Sequence, residues 1–366
     1  VSRAWPIVQF GDVLELQRGH DLPTSSRCSG TVPVIGSFGV TGSHNQAAYD
    51  GPGVAIGRSG AAIGTATFVD APFWPLNTCL FVRDFKGNDP RWVYRLLQVT
   101  DFLAFNSGSA QPSLNRNFLR NIEVPLPPIY EQRAIAELLG AFDDKIAANE
   151  RVVDAAEALM LAAAESVTVR TPLSTLASQS NASRRPEEFA DSIAHFSLPA
   201  FDANAQPEIV GGASVKSSKF FLSKPCVLFS KLNPRIPRIW DVCTLPAEMA
   251  LASTEFVVLI PACVDATLLW ATLRQTDISE ELTQMVAGTS GSHQRIRPHD
   301  LLGAWVRDIR ELEPDLASLL VDLGQVCHRR RKESQLLART RDQLLPVLMS
   351  GKIRVKDAAA SVGEVL

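Results

Sequence analysis

The sequence predicts an α/β (α+β) chain. Two globular segments are separated by two long helices that pair as a coiled coil, and the two halves are related by a pseudo-twofold internal repeat. Three observations carry this reading. Short sequence matches recur in constant order about half a chain apart. Two long stretches keep a helical apolar period, and the segments before them are built of short β-type runs between Gly, Pro, Asn and Asp. The length of 366 residues fits two domains of roughly 150 residues each. With 46% hydrophobic and 20% charged residues, there is enough apolar material for packed cores, which excludes wholesale disorder.

In chain order, residues 1–128 form the first globular segment. Strands are expected at Val32–Ile35, Gly53–Ile56, Thr65–Val69 and Cys79–Val82, with a helical piece at Arg91–Phe105. Residues 129–169 form the first long helix, which Pro127-Pro128 introduces, since proline is well tolerated at a first helical turn. Ile135, Leu138, Leu139, Phe142, Ile146, Val153, Ala156, Leu159 and Ala163 mark its apolar seam. Residues 170–310 form the second globular segment, with strands at Cys226–Ser230 and Glu255–Ile260 and a helical piece at Ala266–Met285. Residues 311–350 form the second long helix, whose seam runs through Leu316, Leu319, Leu323, Val326, Ser334, Leu337, Leu344 and Leu348. Pro346 is expected to kink or end it, Ser350-Gly351 to stop it, and residues 351–366 to form a C-terminal tail. At 1.5 Å per residue, about 35–40 residues make a rod of about 55 Å, longer than one small domain needs.

The repeat supplies two equivalent rods. Leu76–Val82 resembles Ala252–Val258 at an offset of 176 residues (Asn77 against Ser253), and Thr100-Asp101 falls on Thr276-Asp277 at the same offset. Leu119–Val124 matches Leu301–Val306 at an offset of 182. Residues 129–170 carry four basic and eight acidic side chains. Residues 311–366 carry nine and eight, with Arg329-Arg330-Arg331-Lys332 in one block. An acidic rod and a rod with a basic block are matched for pairing.

Composition narrows the function. The formal net charge is −3, so any electrostatic case for nucleic-acid binding must rest on local patches. The six cysteines, Cys28, Cys79, Cys226, Cys243, Cys263 and Cys327, lie far apart with no C-x-x-C, which points to reduced, mostly buried thiols rather than a zinc ribbon. The first ten residues do not read as a signal peptide, and no run of 18 apolar residues occurs. A cytoplasmic chain with no membrane partner is expected. Asn233-Pro234-Arg235-Ile236 fails the Asn/Asp-Pro-Pro-aromatic pattern of an adenine methyltransferase. There is no G-x-G-x-x-G, no phosphate loop, no G-x-S-x-G and no H-E-x-x-H. No catalytic residue and no metal site are therefore expected.

Several stretches resemble the specificity subunits of Type I restriction–modification enzymes. The first is Pro125-Leu126-Pro127-Pro128-Ile129-Tyr130-Glu131-Gln132-Arg133, continuing through Leu139-Gly140-Ala141-Phe142-Asp143-Asp144-Lys145-Ile146. The second is Gly39-Val40-Thr41-Gly42-Ser43-His44-Asn45, with Gly57-Arg58-Ser59-Gly60 and Phe73-Trp74-Pro75-Leu76-Asn77-Thr78. The third is the end, Gln343-Leu344-Leu345-Pro346 to Ser350-Gly351-Lys352-Ile353. The second half is more divergent, with Arg310-Glu311-Leu312-Glu313-Pro314 where a Pro-Pro…Glu-Gln start is usual. The resemblance implies two target-recognition domains at opposite ends of the two long helices, which form an antiparallel coiled coil; each domain reads one half of a split double-stranded DNA target, with the helices as a spacer ruler. It also implies two methyltransferase (modification) subunits and restriction/translocase subunits as partners. S-adenosylmethionine, ATP and Mg would belong to those partners, with no cofactor in this chain.

DNA-contact candidates follow from local charge. Lys216 to Trp240 carries Lys216, Lys219, Lys224, Lys231, Arg235 and Arg238 with no acid, and Asn233 among them. A lysine-protected strand edge would have the same composition. Two polar, basic loops follow the helical pieces. Gln111, Asn115 and Arg116 lie in one, and His293, Gln294, Arg295 and Arg297 in the other. Arg pairs well with guanine, and Gln or Asn with adenine. His44, Asn45 and Arg58 complete the set, Arg58 falling opposite Lys231 in the repeat. Two rival readings use the same features: a coiled-coil scaffold with duplicated protein-binding domains, and a self-contained DNA-modifying enzyme.

Overall fold

Gly53–Gly57 and Cys226–Ser230 are buried along their whole length, as strands covered on both faces must be. Each is an interior strand of a four-stranded sheet. The computed structural model describes residues 5–105, 113–233, 235–286 and 295–362. The chain divides into two units, residues 1–144 with 337–366, and residues 145–336.

The first unit contains β1 (Ile7–Gln9), α1 (Phe10–Val13), β2 (Glu15–Arg18), β3 (Val32–Gly36), β4 (Gly39–His44), β5 (Gly53–Gly57), β6 (Ala66–Val69), β7 (Trp74–Pro75), β8 (Cys79–Asp84), α2 (Pro90–Val99), α3 (Arg116–Leu119), β9 (Glu123–Pro125) and the start of α4 (Ile129–Glu165). One sheet has the order β2-β8-β5-β6 and is antiparallel throughout. A second has the order β4-β3-β7 with β3 and β7 parallel, and β1 pairs with β9. Phe10, Ile56, Trp92, Leu97, Ile135 and Leu139 form its main core, together with Leu348 and Met349.

The second unit contains β10 (Arg170–Pro172), β11 (Ala177–Ser180), β12 (Ser183–Arg184), β13 (Ser192–Phe196), α5 (Leu198–Asn204), β14 (Glu208–Gly211), β15 (Lys219–Phe221), β16 (Cys226–Ser230), β17 (Ile239–Val242), β18 (Met249–Ala252), β19 (Phe256–Pro261), α6 (Ala266–Leu273), α7 (Thr276–Val286), α8 (Pro298–Gly303), β20 (Trp305–Arg307) and most of α9 (Pro314–Met349). The end of α9 and α10 (Val355–Val362) belong to the first unit. The sheet β11-β19-β16-β17 repeats the order of β2-β8-β5-β6 strand for strand. The parallel pair β13·β18 repeats β3·β7, and β10·β20 repeats β1·β9. Even the helix caps recur: Asp89 accepts from Trp92 N at 2.9 Å to start α2, and Asp265 accepts from Thr267 N at 2.8 Å to start α6. The internal repeat is thus a repeat of topology.

The two long helices pair in an antiparallel sense within each unit. In the first, Asp143 accepts from Arg341 at 2.5 Å, and just beyond the end of α9 Arg354 pairs with Glu131. In the second, Asn149 donates to Glu333 at 3.0 Å, Glu157 pairs with Arg331, and Cys327 packs against Val153. Of the basic block, Arg331 meets an acid of the first helix, Glu157, whereas Arg330 pairs with Glu333 on its own helix. Asn149 is buried in this seam, where a polar side chain with partners fixes register.

Three expectations are corrected. Leu159 and Leu319 are exposed, while the adjoining Met160 and Leu320 are buried, because a 3.6-residue helix drifts from a strict heptad and these ends pack on the second unit's sheet core. The helical piece at Ala266–Met285 is two helices, broken at Arg274-Gln275, and that at Arg91–Phe105 ends as a helix at Val99. Pro346 sits inside α9, and the helix stops at Ser350-Gly351 as expected, Gly351 taking a φ of +70° that a glycine adopts at no steric cost. The tail is not featureless, since Val355–Val362 is helical and Ala358 joins the first core. Four of the six free thiols, Cys79, Cys226, Cys243 and Cys327, are buried. No helix among the described residues is long and apolar enough to cross a membrane.

Candidate nucleic-acid interface

Where β5 leaves its sheet in the first unit, the chain is held on both sides of Arg58. Its N–H donates to the Thr78 carbonyl at 3.2 Å, and its own carbonyl accepts from Leu114 N at 2.9 Å. The second unit repeats this node at Lys231. The Lys231 N–H donates to Glu255 O at 2.8 Å, and its carbonyl accepts from Ile296 N at 2.9 Å. The bridges Ser59↔Ser113 and Leu232↔Arg295 complete the correspondence. The sequence alignment of Arg58 with Lys231 is therefore a structural equivalence.

In the first unit the node opens onto a groove of about 890 Å³ lined by Arg18, Arg58, Arg83 and Arg116, with Gln17, His20, Asp21, Asn77 and Asn115. Four guanidinium groups face a single lining carboxylate, and Asn77 donates to that carboxylate on Asp21. Arg83 also lies 3.9 Å from Glu15, a contact too exposed to hold it firmly. Arg58 is half-buried and donates to the Asn77 carbonyl at 3.3 Å, whereas Arg18, Arg83 and Arg116 are exposed. Asn115 caps α3 by accepting from Asn117 N at 3.0 Å, which places Arg116 at the groove. His20 stacks on Tyr49 and shares a 2.9 Å hydrogen bond with its hydroxyl. Such a groove suits a polyanion.

The counterpart in the second unit answers its own charges. Lys231 donates to the Thr254 carbonyl at 2.8 Å and lies over the Phe220 ring, while Arg295 pairs with Glu255 at 3.0 Å. Glu255 stands where the first unit has Thr78, so an acid replaces a neutral residue beside the node. Burial holds the Lys231 ammonium below the usual lysine range, opposed by neighbouring Glu255 and reinforced by Arg295.

The other expected contacts scatter. His44 is buried, accepts from Cys28 N at 3.0 Å and packs edge-on to Trp74, so it serves the fold; Asn45 beside it is exposed. Lys219 is also buried and donates to Ser217 Oγ at 2.6 Å, its pKa lowered by burial. Lys216 is exposed and donates to Ala213 O at 2.6 Å. Arg238 is bound bidentately by Asp202 at 2.6 and 3.0 Å. Lys224, Asn233, Arg235 and Arg297 are exposed, Asn233 with a left-handed φ of +49° and Arg297 at the start of α8. Gln111, His293 and Gln294 lie outside the described residues. The acid-free stretch Lys216–Trp240 is thus spread over two sheets, with part of its charge consumed internally.

Residues 3–158 match the family model of the Type I restriction modification DNA specificity domain. The first part of the chain is thus similar to a Type I DNA specificity domain. The groove with Arg58 lies within the matched residues. Over 139 residues the chain is 26% identical to the Type I restriction enzyme EcoprrI specificity subunit of Escherichia coli. The match covers 37% of this chain and 35% of that relative. The same identity over the same length relates it to a Haemophilus influenzae chain provisionally described as a specificity subunit of that enzyme type, of which 36% is covered. Among solved structures, the fold is similar to the Type I restriction–modification S subunit of M. genitalium, with a TM-score of 0.65 at 16% identity. That similarity covers 95% of this chain and 97% of the other, and so extends the shared fold beyond residues 3–158 into the second half.

Arg18, Arg83, Gln17 and Asn77 escape sequence reasoning. Gln17 and Arg18 lie on β2, Arg83 on β8 and Asn77 in the turn before β8, and only the β2·β8·β5 pairing gathers them around Arg58. The one local signal is Gly57, where an added Cβ would sit 1.9 Å from the Ala62 carbonyl and 2.6 Å from that of Ser37. Gly57→Ala is expected to destabilise the first unit by about 3 kcal/mol and to displace Arg58 with it. A thermal melt within about one degree of the parent would contradict this.

Proposed function

We propose that the chain is a non-catalytic DNA-recognition subunit that reads a split double-stranded target, one half-site per unit. It directs partner adenine-N6 methyltransferase and restriction subunits to that target. S-adenosylmethionine, ATP and Mg reside in the partners, and the long helices serve as spacer ruler and docking surface. The observation that carries this reading is the repeated node, Arg58 in one unit and Lys231 in the other, held by the same backbone hydrogen bonds but set among different side chains. Equivalent frames with different surroundings suit two different half-sites in one recognition event.

Residues 1–128 carry ten basic and nine acidic side chains, and residues 171–310 carry thirteen and fourteen. Neither segment is basic enough to bind DNA tightly alone, so useful affinity requires partner subunits that clamp the duplex. The test is a genome-wide map of N6-methyladenine in the host, with and without this chain. Loss of one split motif, two short specific halves around a constant gap, is the expected result. An unchanged map from cells that express the chain and its methyltransferase would overturn the reading.

A further inference from the structure

We infer that Arg58 is the base-reading residue of the first unit and that it recognises the major-groove edge of a guanine, while Arg18, Arg83 and Arg116 hold phosphates. The inference rests on the DNA-recognition reading above and assigns roles within its groove. Four arginines share the groove, yet they are not alike. Arg18, Arg83 and Arg116 are exposed on flexible stems, which suits phosphate oxygens and carries no sequence information. Arg58 is half-buried, and its backbone is pinned from two sides by the Thr78 carbonyl and the Leu114 amide. Its side chain is oriented by a third contact, the Asn77 carbonyl at 3.3 Å, which takes one of its five N–H donors.

Reading a base needs a donor pair held in one place, because discrimination is lost when the reader can swing to an alternative acceptor. The guanidinium fork matches O6 and N7 of guanine, a pair of acceptors that no other base presents in the major groove. The second unit has no arginine at this node. Lys231 is engaged with Thr254 and Phe220, and Arg295 beside it is paired with Glu255. At this node, guanine reading therefore belongs to the first unit alone.

The full complex with its methyltransferase partners tests this through two variants and a modified base. Arg58→Lys keeps the charge but loses the fork. In the methylation map it is expected to relax one G·C position in one half-site, leaving the other half and the gap unchanged. Arg18→Ala is expected to weaken all sites evenly, keep the motif, and reduce the salt slope of binding by about one. On a target duplex with 7-deazaguanine at the affected position, the parent complex should bind about ten- to hundredfold more weakly, and the Arg58→Lys complex should show no further loss. A parent motif that survives Arg58→Lys base for base, or relaxes at an A·T position, overturns the inference while leaving the DNA-recognition reading intact. If Arg58→Lys abolishes all methylation, the binding experiment decides: equal losses on the modified duplex for parent and variant overturn it. A parent complex that imprints no split motif overturns the underlying reading itself.

Discussion

Asp241→Asn is expected to stabilise the second unit above pH 7 and to leave it nearly unchanged near pH 4. Asp241 lies half-buried on β17 and accepts from the Thr267 hydroxyl at 2.6 Å through one oxygen, while Oδ1 is shielded from solvent and has no hydrogen-bond partner. Burial pushes its pKa up to about 7; the Thr267 hydrogen bond opposes this, Asp265 and Glu157 add to it, and Arg331 counters it. In the unfolded chain the same carboxyl titrates near 3.9. Between pH 4 and pH 7 the folded form therefore binds more protons than the unfolded one, so stability falls as pH rises through this window. The contribution is complete below about pH 4 and lost above the folded pKa. A three-unit displacement corresponds to roughly 4 kcal/mol as an upper bound. Asn keeps the Thr267 bond and has no charge to bury, so its advantage should grow across the window and then level off. Urea unfolding of parent and variant at pH 5 and pH 8 measures it, and a difference that is the same at both values would contradict the account.

Asp143→Ala should cost the first unit about 3 kcal/mol. The Arg95 side chain, only 5% exposed, has Asp143 as its ionic partner, and Asp143 also accepts from Arg341 on α9 at 2.5 Å. Arg95 further donates to Gln98 at 3.0 Å and lies over the Tyr94 ring, contacts that hold it in place without neutralising it. Removing the carboxylate leaves a buried cation beside a second arginine, a far costlier state than losing an exposed ion pair. Arg95→Met in the same chain should recover much of the loss, because the second substitution removes the stranded charge. Denaturant midpoints for the two single variants and the double variant settle the matter. A double variant as unstable as the sum of the singles would show that the pair is not coupled.

Much of the architecture is written in local pattern. The long helices follow from a 3.6-residue apolar period over Ile135–Ala163 and Leu316–Leu348, and the all-apolar runs at Gly53–Gly57 and Cys226–Ser230 announce interior strands. The repeat is legible because its matching segments, Cys79–Val82 and Phe256–Val258, are the same strand in two copies of one sheet. Residues that act through a periodicity reveal themselves in sequence, since each carries its neighbours' phase. What periodicity leaves open is a phase error of one residue, and that is why Leu159 and Leu319 exchange places with Met160 and Leu320.

Charge in use is not charge in sequence. The acid-free run Lys216–Trp240 holds the densest basic composition, yet Arg238 is bound by Asp202 and Lys219 is buried. The groove that keeps its charge is assembled from Arg18, Arg58, Arg83 and Arg116, single residues with no local cluster. By itself the sequence determined two repeated units, two long helices, their acidic–basic match and the equivalence of Arg58 with Lys231. Only the tertiary structure decided which cations remain available, because an ion pair forms between side chains that strand pairing and loop closure bring together from distant positions, and no local composition records where those partners lie.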